Sequence, residues 1–212
     1  MKKILLILAL SFLNINVQAA YQVEIIIFEH LFHDAEGEVS HVGLKIPDLS
    51  NTVQLSSDTI GHDAAFRLLP SSMYKLGGVY SELRSSREYK PILHLAWQQP
   101  QLTQSRSKYV HIRKADGIAQ QDESDDALVK LDGVIRIRSS QFLHADVDLF
   151  YFINELSESF ISANAGTLDS SQIQAEFVEL NETRRMKLNE LHYFDHPVFG
   201  MLMRVSRLSP EQ

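Results

Sequence analysis

Two neighbouring runs, Leu131 to Arg138 (Leu-Asp-Gly-Val-Ile-Arg-Ile-Arg) and Phe142 to Phe152 (Phe-Leu-His-Ala-Asp-Val-Asp-Leu-Phe-Tyr-Phe), constrain the fold more than any other part of this chain. Apolar and polar residues alternate through both, and only Ser139-Ser140-Gln141 separates them. Successive side chains of a strand point to opposite faces, so the pattern predicts a β-hairpin with one apolar and one polar face. Leu143, Ala145, Val147, Leu149 and Tyr151 make the first face; His144, Asp146, Asp148 and Phe150 make the second. A turn centred near Ser140 sets Arg136 opposite His144 with Asp146 on the diagonal, a cross-strand charge ladder.

The same periodicity recurs elsewhere. Tyr21 to Phe28 begins with alternation and ends in a β-branched run, predicting a strand exposed at its start and buried on both faces at its end. Tyr89 to Gln98 sets Leu93, Leu95 and Trp97 against Ile92, His94 and Ala96. Lys108 to Arg113 returns with Val110 and Ile112 inward, so these two runs are expected to form a hairpin with a polar tip. Ile173 to Leu180 alternates as well. Pro70-Ser71-Ser72, followed by Met73, Leu76, Val79, Tyr80 and Leu83, predicts one helix with a serine cap, weakened internally by Gly77 and Gly78. Asp34 to Arg67 and the acidic Gly117 to Asp126 are expected to be connections, and Asn154 to Gln172 a loop or a short frayed helix. The predicted architecture is a single α+β domain: a mostly antiparallel β-sheet of about six or seven strands with one main helix packed on one face.

Near the C-terminus lies the most idiosyncratic run, His192-Tyr193-Phe-Asp195-His196-Pro197-Val-Phe-Gly200. Pro197 biases His196 away from the helical region. After Gly200, Met201, Met203 and Val205 alternate with Leu202, Arg204 and Ser206 as a final strand would. Imidazoles flanking a carboxylate are zinc-ligand types. Four-residue spacing converges only on a helix, which Pro197 and Gly200 oppose, so the motif is expected to be a structural or functional corner between strands, with no metal.

Residues 1–19 carry the pattern of a signal peptide: Lys2 and Lys3, an apolar core from Ile4 to Leu13, and Val17-Gln18-Ala19 before the cut. Residues 20–212 would then form one exported domain. Without Lys2 and Lys3, the 20 Lys and Arg of the chain fall to 18 against 27 Asp and Glu, a net charge of −9. An acidic surface is a poor partner for nucleic acid or anionic lipid. The chain contains no cysteine, which excludes disulfides, thiol chemistry and the lipidated cysteine of a bacterial lipoprotein, so no membrane anchor is expected.

Catalytic sets are missing. There is no cysteine nucleophile, no Gly-x-Ser-x-Gly elbow, no Ser-x-x-Lys set and no His-Glu-x-x-His pair. Arginines and aromatics on polar faces suit sugars and peptide carboxylates, because the planar fork of arginine pairs both oxygens of a carboxylate and aromatic rings can stack. The candidate binding residues are therefore Arg136, Arg138, Arg184 and Arg185, with Trp97, Tyr109 and Tyr193 as stacking partners. A scaffold that touches only proteins, and a metal-dependent wall hydrolase using His192 to His196, stay open as alternatives.

Several blocks taken in order, Tyr21-Gln-Val-Glu-Ile-Ile-Ile-Phe-Glu29, Leu93-His-Leu-Ala-Trp-Gln-Gln-Pro100, Leu131 to Arg138, Phe142 to Leu149 and Arg184-Arg-Met to Gly200, resemble the CsiV family of exported proteins. The resemblance implies a periplasmic, non-enzymatic protein of Gram-negative bacteria that binds peptidoglycan and needs no cofactor. It further implies a role in cell-wall synthesis and cell shape, through a class A penicillin-binding protein and that synthase's outer-membrane lipoprotein activator. The family supplies no ligand-binding residues to carry over.

Overall fold

A computed structural model describes residues 20–32, 41–42, 47–55, 65–116, 128–157 and 176–208. The signal-peptide pattern of residues 1–19, the acidic run of 117–126, most of 154–172 and the first residues of the run from Ile173 lie outside them. In chain order the elements are β1 (Ala20–His30), β2 (His41–Val42), β3 (Thr52–Val53), β4 (Arg67–Leu68), α1 (Gly77–Ser85), β5 (Tyr89–Pro100), β6 (Tyr109–Asp116), β7 (Leu128–Ser139), β8 (Leu143–Ser157), β9 (Glu176–Met186), β10 (Leu191–Asp195) and β11 (Phe199–Arg207). The α+β reading holds, with one α-helix among the described residues, but the strands divide between two sheets. One has five strands in the order β10-β11-β1-β5-β4, the other six in the order β2-β9-β8-β7-β6-β3. Among the described strands all pairings are antiparallel except β3 with β6.

The sheets share one core. Val23, Ile25, Ile27, Trp97, Met201, Met203 and Val205 from the five-stranded sheet meet Ile112, Leu131, Ile135, Ile137, Ala145, Val147 and Leu149 from the six-stranded sheet. Fully burying a side chain of this kind contributes about 1.5–3 kcal/mol, and this apolar contact is what keeps the two sheets face to face. The expected β5–β6 hairpin is therefore a correction: β5 pairs with β1 and β4, while β6 pairs with β7 and β3. Inward alternation is the same whichever sheet a strand joins, so the period alone could not separate the two. The connection instead crosses the end of β7, where the Ser139 amide donates to the Leu102 carbonyl at 2.8 Å.

Helix α1 covers the outer face of the five-stranded sheet, with Val79, Tyr80 and Leu83 packed on Ile26, Phe28 and Leu76. Its cap comes from the sheet below. The Glu24 carboxylate accepts the backbone N–H groups of Lys75 and Leu76 at 2.7 and 2.8 Å and a His94 ring contact at 2.9 Å. The predicted serine cap is absent: Ser71–Met73 is a separate 3-10 turn, and Gly77 and Gly78 open α1 rather than interrupt it. This also corrects the expectation of an exposed start for β1. Gln22 and Glu24 are 1% exposed because α1 and its approach lie over them. A buried carboxylate is tolerated there because backbone donors at the start of the helix satisfy it.

The β7–β8 hairpin is centred at Gln141, one residue later than expected, so Arg138 pairs with His144 and Arg136 with Asp146. Close approach of the two strands depends on Gly133, whose φ of +153° disfavours any side chain and whose added Cβ would lie 2.3 Å from the Asp148 carbonyl oxygen.

Candidate functional site

Alternation along three paired strands builds the outer face of the six-stranded sheet. Opposite Asp146 stand Arg136 on β7 and Thr183 on β9, and opposite Asp148 stands Asn181. Because their odd or even neighbours fill the core, these side chains all turn away from it.

Asp146 is the centre of that face. Its Oδ2 accepts Arg136 Nε at 2.8 Å and Nη2 at 2.7 Å, together with Arg138 Nε at 2.8 Å. Its Oδ1 accepts Arg138 Nη2 at 3.1 Å and the Thr183 hydroxyl at 2.9 Å. Burial alone would raise the Asp146 carboxyl, but the hydrogen bonds from Arg138, Arg136 and Thr183 outweigh it and hold the group below its ordinary value. Reciprocally, the bond to Asp146 keeps Arg138 firmly charged. The Arg136 guanidinium also lies over the Tyr109 ring, 4.4 Å from its centroid.

A loop completes the site. β2 and β3 lie at opposite edges of the six-stranded sheet, and residues 47–51 lead into β3. Asp48 and Asn51 from this loop, with Tyr109, the arginine pair, Asp146, Asp148, Asn181 and Thr183, line a cavity of about 390 Å³. The turn is held by the Ser50 amide on Asp48 Oδ1 at 2.9 Å and by the Tyr109 amide on the Asn51 carbonyl at 3.1 Å. The Ser50 bonds also hold the Asp48 carboxyl below its ordinary value, so it is ionised. The site thus combines two guanidinium groups, three carboxylates, two amides, a threonine hydroxyl and a tyrosine phenol.

Of the residues expected to bind ligand, Arg136, Arg138 and Tyr109 are brought together here. Arg185 shares their face by register, opposite His144, and lies over the Phe142 ring at 3.2 Å from its centroid. Arg184 points the other way. It pairs with Glu182, lies over Phe194 and donates to the Tyr193 carbonyl, bracing β9 against β10 where the two sheets meet. Trp97 is a correction: with no accessible surface, and its indole N–H donating to Gln99 at 2.9 Å, it is core. Asp48, Asn51, Asp148, Asn181 and Thr183 were not among the candidates. For Asn181 and Thr183 a signal existed, since they extend the alternation of their strand; Asp48 and Asn51 carried none.

The His192 to Gly200 motif is a hairpin, Asp195 pairing with Gly200 across the turn at Pro197 and Val198. Tyr193 stacks on Phe28, centroids 6.0 Å apart, directly above Gly200, where an added Cβ would sit 2.8 Å from the Tyr193 ring. The Tyr193 hydroxyl donates to Asp195, and burial together with that carboxylate pushes its pKa up. His192 accepts the Lys187 amide at 3.1 Å and His196 the Val198 amide at 3.2 Å, so both imidazoles bond to the backbone around them. Among the described residues no three histidine or carboxylate groups converge as a metal requires. His111 and Asp132, 2.6 Å apart, have the look of a catalytic dyad, but the other ring nitrogen of His111 is taken by Gln54 at 2.7 Å.

A family model described as peptidoglycan-binding protein, CsiV, matches residues 1–208. No curated protein and no solved structure gives a match. With the match running through both sheets, the helix and every group that lines the cavity, the chain belongs to the CsiV family of peptidoglycan-binding proteins.

Proposed function

We propose that this protein is exported through residues 1–19 to the periplasm, binds peptidoglycan there without catalysing a reaction, and does so in the cavity on the outer face of its six-stranded sheet. The observation that carries the site is the arginine pair. Each guanidinium has five N–H donors, and Asp146 takes two of them on each, leaving fixed donors for a carboxylate or an acyl oxygen of the wall. Both ring nitrogens of His111 are occupied, by Asp132 and Gln54, which supports a binding rather than a catalytic role. No described helix is long and apolar enough to cross a membrane. We further propose that the bound protein supports a class A penicillin-binding protein together with its outer-membrane lipoprotein activator.

Co-sedimentation of residues 20–212 with purified sacculi tests the first part. The protein should pellet, and pelleting should weaken at high salt because partly exposed charges are screened. Asn181→Ala, which removes an exposed amide of the cavity, and Arg136→Ala should each lower the bound fraction, by about 10-fold in affinity for the arginine. Pelleting unchanged in both variants would sink the cavity as the site. Glycan polymerisation by the purified synthase and its activator, with and without this protein, tests the second part; an unaltered rate counts against it.

A further inference from the structure

The outer face of the five-stranded sheet holds a charged group that the fold does not use. Arg204 on β11 alternates with the core residues Met203 and Val205 and so points outward, where it is half-buried. Its Nε is the one buried side-chain polar atom among the described residues with no hydrogen-bond partner. Buried donors are nearly always paired, so this orphan points to a partner outside the chain. Across the sheet from Arg204 stands Glu24, but its carboxylate is taken by the Lys75 and Leu76 amides and by His94. On the other side Arg204 pairs in register with the apolar Leu191, and the adjacent Glu190 is held by Lys187 at 3.3 Å.

A second cation stands beside it. Lys75 Nζ donates at 2.7 Å to the hydroxyl of Ser206, which lies two residues along β11 from Arg204 on the same face. Burial and the Arg204 charge both lower the Lys75 ammonium, while Glu24 acts the other way. Two cations against one carboxylate leave the cluster positive, and a protonated His94 would only add to that. Lys75 and Arg204 repel each other, and a single carboxylate set between them removes the repulsion. The surroundings suit a protein partner. Leu191, 45% exposed, adjoins Arg204, and Met73, 38% exposed, sits where its carbonyl accepts the Gln22 amide beside Ser206. Arginine and methionine are enriched in protein interfaces, where apolar neighbours keep water from a central charged contact.

We infer that Lys75 and Arg204 form a second binding site, which takes the carboxylate of an Asp or Glu in an acidic segment of a partner protein, with Leu191 and Met73 seating apolar residues on either side of it. The planar guanidinium pairs both carboxylate oxygens, the ammonium adds a point charge, and Ser206 holds that ammonium in place. Because the site lies on the five-stranded sheet, a partner docked there leaves the cavity on the six-stranded sheet open to the wall.

NMR titration of residues 20–212 tests this, read at the Arg204 Nε–H signal, which is assigned by its loss in Arg204→Met. The probe is the peptide Ser-Leu-Glu-Leu-Ser, N-acetylated and C-amidated so that the glutamate carries its only charge; the control has glutamine in place of the glutamate. The glutamate peptide should shift the signal to saturation, and the control should bind at least about 10-fold more weakly. Lys75→Gln should weaken the glutamate peptide at least about 10-fold and leave pelleting with sacculi unchanged. In Arg204→Met, which keeps an apolar stem, the backbone signals of β11 should not respond to the peptide. Where that variant fails to fold, Lys75→Gln on the exposed approach to α1 carries the test. Equal response to both peptides, no response to either, or a response unaltered in Lys75→Gln overturns the inference. So does a shift caused by soluble disaccharide-peptide fragments of sacculi and not by the glutamate peptide, which would make this a wall site.

Discussion

Asp146→Ala is the substitution that most directly tests how the outer face is built. The carboxylate is 12% exposed, and the two guanidinium groups that grip it are 19% and 15% exposed. Removing one partner from a buried ion pair costs about 3–5 kcal/mol, because the remaining charge has lost its counter-ion. Here two like charges are left side by side, but both retain enough exposure to turn toward water. The lower end of the range, about 3 kcal/mol, is the expected loss. Against a total stability of about 5–15 kcal/mol this is large but survivable. Urea denaturation followed by tryptophan fluorescence measures it cleanly, because Trp97 is the only tryptophan and is fully buried. The pH dependence gives a second reading. A carboxyl held below its ordinary 3.8 in the folded state contributes stability that is present above that value and lost as pH falls through the folded pKa. Wild type should therefore lose its advantage over Asp146→Ala on acidification below 3.8, while the gap at neutral pH stays full. A neutral-pH difference under about 0.5 kcal/mol, the range of ordinary surface changes, or a gap that widens in acid, would refute the account.

Three further substitutions have defined outcomes. Gly133→Ala puts a Cβ 2.3 Å from the Asp148 carbonyl oxygen at a φ of +153°, and should cost about 3 kcal/mol or prevent folding, seen as a lowered melting temperature or lost soluble yield. Gly200→Ala forces apart the Phe28 and Tyr193 rings and should cost about 1–3 kcal/mol by thermal melting, yet leave sacculus pelleting of the folded protein unchanged, because the hairpin belongs to the other sheet. Tyr193→Phe removes the hydroxyl that bonds Asp195 and lies 3.3 Å from His30; about 1 kcal/mol should be lost in urea denaturation, again with wall binding retained. A loss of pelleting without a loss of stability in either hairpin variant would make that motif a binding site.

Some of this was open to inspection in the linear chain and some was not. Period-two alternation is a local property, so β1, β5, β6, β7, β8 and β11 could be read from it, as could the burial of Leu143, Ala145, Val147 and Leu149. The polar ladder of Arg136, Arg138 and Asp146 was visible for the same reason, and its register missed only because the turn sits at Gln141 rather than Ser140. Pro197 and Gly200 likewise marked their turn through backbone restrictions that need no tertiary context.

Which sheet a strand joins, however, depends on partners far away in the chain. The same inward face of Val110 and Ile112 would have served a hairpin with β5, yet β5 has both edges occupied by β1 and β4, and β6 closes on β7. The fates of the candidate residues were decided in the same way. Trp97 went to the core because a second sheet covers it, and Glu24 was buried because α1 uses it as a cap. Arg184 and Arg185, adjacent in sequence, were sent to opposite faces. Asp48 and Asn51 became part of the cavity because β3, which follows them, pairs with the distant β6 and brings Asn51 onto the Tyr109 amide. The sequence by itself therefore determined the strands, their faces and the charges they carry, since each follows from neighbours one or two residues away. The tertiary structure alone decided which of those charges face one another across a cavity, since that depends on how distant segments pair.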